Sequence, residues 1–300
     1  MATGSIRERS LRVSGLSFTA LEAGTGPTVL CLHGFPDTRH TFENLVQRLA
    51  GAGYRAVAPQ LRGYEHSSDP GDGDFFIESL AKDVEGWIED LGGDSVHLVG
   101  HDWGAAIVYA AAALCPEKVR SVTAMSVPHL RHFRERIWRT PSQFRRSWYM
   151  AFFQLRGIAE RVILNKRIDF IRRLMDSWSP NQPLPEAWYD RVNDVFSDPG
   201  LTRNALGYYR CAFNWRRGRG RRSLELARRR ITVPVLSLVG AHDGCMAPEV
   251  FEGVMEPTDF VAGLYHRRIS DAGHFLHLDQ PESVAQVIVQ FIEETEVKDR

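Results

Sequence analysis

Ser95-Val96-His97-Leu98-Val99-Gly100-His101-Asp102-Trp103-Gly104-Ala105-Ala106-Ile107-Val108-Tyr109-Ala110 is the stretch on which the fold turns. An apolar, strand-like run enters a small-X-acid-X-small turn, and an alanine-rich, helix-like run leaves it. Glycine on both shoulders marks a turn so tight that a bulky Cβ would clash there. Such a turn lifts its central side chain clear of the backbone, and the side chain lifted here is the carboxylate of Asp102. In an ordinary strand-to-helix connection the same Asp would only cap the helix.

A carboxylate at that tip narrows the chemistry. Attack on an ester or amide carbonyl would give a mixed anhydride, so ordinary ester hydrolysis fits poorly. Attack on a saturated carbon fits well: it opens an epoxide or displaces a halide, and leaves an alkyl ester that activated water can cleave.

Outward from the turn, the pattern is an alternation of strands and helices. Residues 10–13 and 16–21 read as an antiparallel hairpin around Gly15. Residues 28–32 form a continuous apolar run of the kind that buried parallel strands show. A helix is predicted over 41–52, a strand over 54–59, an amphipathic helix over 76–91 and a strand over 119–125. Strand-type sequence returns at 233–239, and a last amphipathic helix covers 282–293. This order predicts a largely parallel, doubly wound sheet. Between 128 and 230 the chain reads as helical, aromatic and basic, with Trp138, Trp148, Tyr149, Phe152, Phe153, Trp178, Trp188, Tyr208, Tyr209 and Trp215. The expected division is a core of 1–127 and 231–300, with a helical cap of 128–230 inserted after the sixth strand.

With 300 residues, 43% hydrophobic and 25% charged, the chain is an ordinary globular one with room for a large core. No apolar run approaches the roughly 18 residues of a membrane span. The first residues, Met1-Ala2-Thr3-Gly4-Ser5-Ile6-Arg7, carry no apolar signal core, which points to the cytoplasm. Cys31, Cys115, Cys211 and Cys245 are scattered without metal-ligand spacing, so neither zinc nor a disulfide is expected. The balanced net charge conceals an asymmetry: residues 127–230 hold 23 Lys and Arg against 9 Asp and Glu. The densest run is Arg216-Arg217-Gly218-Arg219-Gly220-Arg221-Arg222. No nucleic-acid motif accompanies it, and a basic surface facing the acidic half of the same chain is the preferred reading.

A nucleophilic carboxylate needs a base to activate water and an acid to orient that base. Asp243 follows the strand at 233–239, and His274 follows the next predicted strand. Nucleophile, acid, histidine is the chain order that this kind of turn requires, which makes His274 the candidate base and Asp243 its orienting acid. His242 and His277 fit less well and read as structural. An oxyanion hole is expected from the backbone N–H groups of Phe35 and Trp103, because His33-Gly34-Phe35-Pro36 directly follows the third strand. Pro36 can fix that loop through a cis peptide bond.

Taken together, His33-Gly34-Phe35-Pro36-Asp37, Arg62-Gly63-Tyr64, Gly100-His101-Asp102-Trp103-Gly104, Val127-Pro128-His129 and Gly273-His274-Phe275-Leu276-His277-Leu278-Asp279-Gln280-Pro281-Glu282 resemble the α/β-hydrolase superfamily. Within it they resemble the soluble-type epoxide hydrolases, over nearly the whole chain. The resemblance implies the α/β-hydrolase fold, a mostly parallel, doubly wound, eight-stranded sheet with an inserted helical cap. It implies a covalent alkyl-enzyme mechanism with Asp102, Asp243 and His274 in the roles above, with no metal or organic cofactor. It also implies two cap tyrosines that protonate the epoxide oxygen; Tyr149 and Tyr209 resemble them, with Tyr208 one residue away as the alternative. Phe35, Trp103, Tyr149 and Tyr209 would line a site for a lipophilic epoxide. Water and that small molecule are the expected partners, in a monomer or homodimer that binds no nucleic acid. Glu65 stands where related chains usually have Gly, Arg156 where they often have Pro, and the run at 216–222 matches no family motif.

Haloalkane dehalogenases share the nucleophile and the histidine–acid pair. They usually place an Asn at position 35 to bind halide, and Phe35 has no such donor. A non-hydrolytic binding protein on the same scaffold would be expected to lack a catalytic residue, and here all are present.

Overall fold

The computed structural model describes residues 5–137, 139–165, 169–181, 183–216 and 218–298, so Trp138, Arg217 and Met1 to Gly4 lie outside the described residues. Strands β1 (Arg7–Val13) and β2 (Leu16–Ala23) form the hairpin. Its turn residues, Ser14 and Gly15, both have positive φ (51° and 80°), the turn geometry that matches strand twist. Six more strands follow: β3 (Thr28–Leu32), β4 (Arg55–Pro59), β5 (Val96–His101), β6 (Val119–Met125), β7 (Val235–Gly240) and β8 (Leu264–Ile269). They form one eight-stranded sheet in the order β1-β2-β4-β3-β5-β6-β7-β8. β2 is antiparallel to β1 and β4, and all other neighbours are parallel.

Every residue of β5 and β7 is buried, as expected of parallel strands covered on both faces. Their alternate side chains enter two apolar clusters. Leu30, Leu98 and Val122 pack on one face with α2 (Ile77–Asp90) and α3 (Trp103–Leu114). Val29, Val99 and Leu236 pack on the other with α1 (Glu43–Gly51) and the C-terminal helix. The predicted helix at 41–52 begins as a 3-10 turn, Arg39–Phe42, before α1 takes over. β7 starts two residues later than predicted, at Val235, because Pro234 has no N–H to give the ladder. Four free cysteines are present, of which Cys31, Cys115 and Cys245 are buried.

Between β6 and β7 the described residues form eight helices, α4 (Leu130–Ile137), α5 (Pro141–Arg146), α6 (Trp148–Phe152), α7 (Ile158–Ile163), α8 (Phe170–Trp178), α9 (Glu186–Phe196), α10 (Pro199–Phe213) and α11 (Gly218–Ala227), and then a single β-bridge from Ile231 to Phe260. The start of α10 is fixed by Asp198, whose Oδ1 accepts N–H bonds from Gly200 (2.7 Å) and Leu201 (2.9 Å). The chain closes with α12 (Pro248–Val254), α13 (Leu276–Asp279) and α14 (Pro281–Lys298), the last running past both predicted ends. Among the described residues, no helix is long and apolar enough to cross a membrane.

The basic run meets acidic residues of the same chain. Arg219 pairs with Asp74 at 2.7 Å, Arg222 with Glu78 at 3.0 Å, and Arg221 with Glu225 at 2.8 Å. Two of these pairs tie α11 to the acidic entry of α2. Glu65 is held in extended backbone (φ −148°, ψ 155°), where no glycine is needed. Its carboxylate accepts the Thr19 N–H of β2 at 2.6 Å, so it anchors its loop to the hairpin.

Candidate active site

The turn after β5 is as tight as its glycines suggest. Asp102 has φ 52° and ψ −117°, a conformation costing a non-glycine residue about 1–3 kcal/mol. A Cβ on Gly100 would lie 2.3 Å from the Gly104 carbonyl oxygen, and one on Gly104 would lie 2.0 Å from that of Leu32. The shoulders therefore admit only glycine. The Asp102 N–H donates to the Met125 carbonyl on β6 at 3.1 Å, which ties the turn to the sheet.

One carboxylate oxygen of Asp102, Oδ1, accepts the Phe35 N–H at 2.8 Å. The Phe35–Pro36 peptide is cis. Trp103 opens α3, where a backbone N–H has no acceptor within the helix. The other oxygen, Oδ2, lies 3.4 Å from His274 Nε2. His274 Nδ1 donates to Asp243 Oδ2 at 2.9 Å. Asp243 Oδ1 in turn accepts the N–H groups of Cys245 (2.8 Å) and Met246 (2.7 Å), which fixes the carboxylate. Asp243 follows β7 and His274 follows β8, so neighbouring strand ends deliver the pair.

Burial alone would push the His274 imidazole down. The charge of Asp243, with hydrogen bonds to Asp102 and Asp243, outweighs burial and holds the ring at about 10. It is an imidazolium at neutral pH, sandwiched between two carboxylates.

The helices between β6 and β7 supply the rest. Tyr149 on α6 and Tyr209 on α10 are buried with ring centroids 5.8 Å apart. Tyr209 stands edge-on to Trp103 and Phe35, both at 5.2 Å. Burial above all raises both phenols well above their ordinary value, with the Asp102 charge the next cause at Tyr209, so both stay protonated. The Tyr149 hydroxyl lies 3.5 Å from Cys245 Sγ. That of Tyr209 has no hydrogen-bond partner of normal geometry among the described residues. Tyr208 turns the other way and donates to the Arg62 carbonyl at 2.7 Å. Phe35 is packed edge-on by Phe153 and Phe196 at 5.3 Å each, and its side chain brings no donor to the site.

Several residues that sequence reasoning passed over support these groups. The Trp178 carbonyl accepts the N–H of His274 at 3.0 Å and of Gly244 at 2.9 Å, and its ring stands 5.0 Å from the His274 ring. Gln143 and Cys245, distant in sequence, also meet here. Behind the site, Asp37, His101 and His277 bring one ligand-type atom each within 4.8 Å of one another. His277 contacts Thr41 Oγ1, consistent with its structural reading, while His242 is exposed. Burial keeps His101 neutral, its pKa lowered to about 3.

The site thus offers a carboxylate, a backbone donor at one of its oxygens, a charged imidazole at the other and two buried neutral phenols whose rings pack on each other and, for Tyr209, on Phe35 and Trp103. A family model described as alpha/beta hydrolase fold matches residues 27–281. The chain belongs to that family. Among curated relatives of this α/β-hydrolase, epoxide hydrolase A of Mycobacterium tuberculosis is 29% identical over 98% of this chain and 100% of its own length. Human epoxide hydrolase 4 is 31% identical, over 96% of this chain and 79% of its own. Among solved structures, epoxide hydrolase A from Mycobacterium thermoresistibile superposes with a TM-score of 0.79 at 27% identity, covering 96% of this chain and 98% of that one.

Proposed function

We propose that this α/β-hydrolase converts a lipophilic epoxide and water to a vicinal diol through an alkyl ester of Asp102. The observation that carries this reading is the Asp102 carboxylate, one oxygen on the Phe35 N–H, beside two buried neutral phenols, Tyr209 packed on Phe35 and Trp103 and Tyr149 packed on Tyr209. Asp102 Oδ2 attacks a ring carbon while that C–O bond breaks, and Tyr149 or Tyr209 gives its proton to the departing oxygen. Ester formation removes the Asp102 charge and with it part of what holds the His274 imidazole up. The proton His274 then sheds is the one the tyrosinate needs.

Neutral His274 next takes a proton from water as the water oxygen bonds to the ester carbonyl carbon. The oxyanion that forms sits on Oδ1, with the Phe35 and Trp103 N–H groups as its donors. Collapse of this intermediate breaks the bond to the alkyl oxygen. The carboxyl proton passes to that oxygen, which yields diol, imidazolium and ionised Asp102, the starting state. In this reading residues 1–127 and 231–300 form the core domain, and 128–230 the cap that carries both tyrosines. The arginines of 216–222 serve cap-to-core contact rather than nucleic acid, and the protein works in the cytoplasm.

A dehalogenase reading is disfavoured by Phe35, which offers no side-chain donor to halide, and by the two phenols, which a halide leaving group does not need. The test is product analysis of wild type and Asp102→Ala on aryl and alkyl epoxides beside bromo- and chloroalkanes. Diol formed by the wild type and not by the variant is expected. Halide release without diol would transfer the chain to the dehalogenases.

A further inference from the structure

Cys245 lies two residues beyond Asp243, and three contacts make it a hub between the two halves of the site. Its N–H donates to Asp243 Oδ1 at 2.8 Å. Its carbonyl accepts from Gln143 Nε2 on α5 at 2.9 Å, while Gln143 Oε1 accepts the Ala247 N–H at 2.8 Å. Its sulfur lies 3.5 Å from the Tyr149 hydroxyl. Gln143, just upstream of the tyrosine, therefore clamps the loop of the orienting acid to the helices that carry Tyr149. Arg146 reinforces the clamp by donating to the Asp243 carbonyl.

We propose that Cys245 is a positioning residue for ring opening, its S–H donating to the Tyr149 oxygen so that the phenolic hydrogen points at the epoxide. This rests on the reading of Tyr149 as an acid given above. A phenol carries one hydrogen and can donate it in one direction only. If Tyr149 spent that hydrogen on a strong acceptor, it would have to break a good bond before protonating substrate. A thiol is a weak acceptor and a weak donor, so it steers the hydroxyl without competing for its proton. Burial keeps the thiol protonated, its pKa raised well above the ordinary value, and so neither a thiolate acceptor nor a nucleophile for the substrate.

The test is a double-mutant cycle on single-turnover rates, with ester formation and ester hydrolysis measured separately on an aryl epoxide. Cys245→Ala should slow ester formation roughly fivefold to tenfold, the rate equivalent of one hydrogen bond, and leave ester hydrolysis within about twofold. In a Tyr149→Phe background the same change should have no further effect on ester formation. If Cys245→Ala destabilises the fold, the Cys245→Ser and Tyr149→Phe pair carries the comparison: serine, a stronger acceptor that competes for the phenolic hydrogen, should slow ester formation in the wild-type background and have no effect in the Tyr149→Phe background. Cys245→Ala at full rate beside a slow Tyr149→Phe would overturn this inference alone. Equal slowing in both backgrounds would do the same, because it would mean a structural role. Tyr149→Phe at full rate would overturn both this inference and the assignment of Tyr149.

Discussion

Two adjacent tyrosines on α10 meet different surroundings. Successive helix residues point about 100° apart, so Tyr208 and Tyr209 cannot face the same space. Tyr208 donates to the Arg62 carbonyl, whereas the Tyr209 ring packs on Phe35 and Trp103. Tyr208→Phe should therefore cost about 1 kcal/mol of stability, read by denaturant unfolding, with activity nearly intact. Tyr209→Phe should do the reverse, slowing ester formation about a hundredfold. His274 gives a pH signature. Folding raises its pKa from 6.5 to about 10, so the stabilisation from its charged form is complete below pH 6.5 and is lost as pH rises toward 10. The stability difference between wild type and His274→Gln should shrink over that window; a difference that grows with pH would contradict the ion-pair account. Asp102, Asp243 and His274 were legible in sequence because each sits at a strand's end in an order the chemistry demands. The choice between Tyr208 and Tyr209 was not, since it depends on which side of α10 packs on Arg62. Cys245 and Gln143 were not legible either, because their meeting depends on tertiary approach and no local pattern encodes it.

Among the elements, the parallel strands were the easiest to read. Burial on both faces makes β3, β5 and β7 largely apolar runs, and Gly at two shoulders announced the turn after β5. Boundaries were less legible where a single group decided them, as Pro234 does for β7. The glycines differ sharply in what they permit. Gly104→Ala would set a Cβ 2.0 Å from the Leu32 backbone oxygen, which cannot yield without moving β3. It should cost about 3 kcal/mol or more and disable the site. Gly253 on α12 has open space around a Cβ, and Gly253→Ala should stabilise by about 0.4–1 kcal/mol. Thermal unfolding of the two variants tests the contrast.

For the whole molecule, composition predicted zero net charge with opposite halves, and the structure brings parts of those halves together at Arg219–Asp74 and Arg222–Glu78. Exposed pairs of this kind contribute about 0.2–1 kcal/mol each. Arg219→Ala with Arg222→Ala should lower stability by that order at low salt. The difference from wild type should vanish near 1 M salt, where the screening length is about 3 Å. The central claim concerns where the water oxygen first bonds. A single turnover in heavy-oxygen water, with enzyme in excess over an aryl epoxide, reads this directly by mass spectrometry of diol and peptides. The account predicts an unlabelled first diol and the heavy oxygen in the peptide bearing Asp102. Label in that first diol, with none in Asp102, would mean direct attack by water and would contradict the ester.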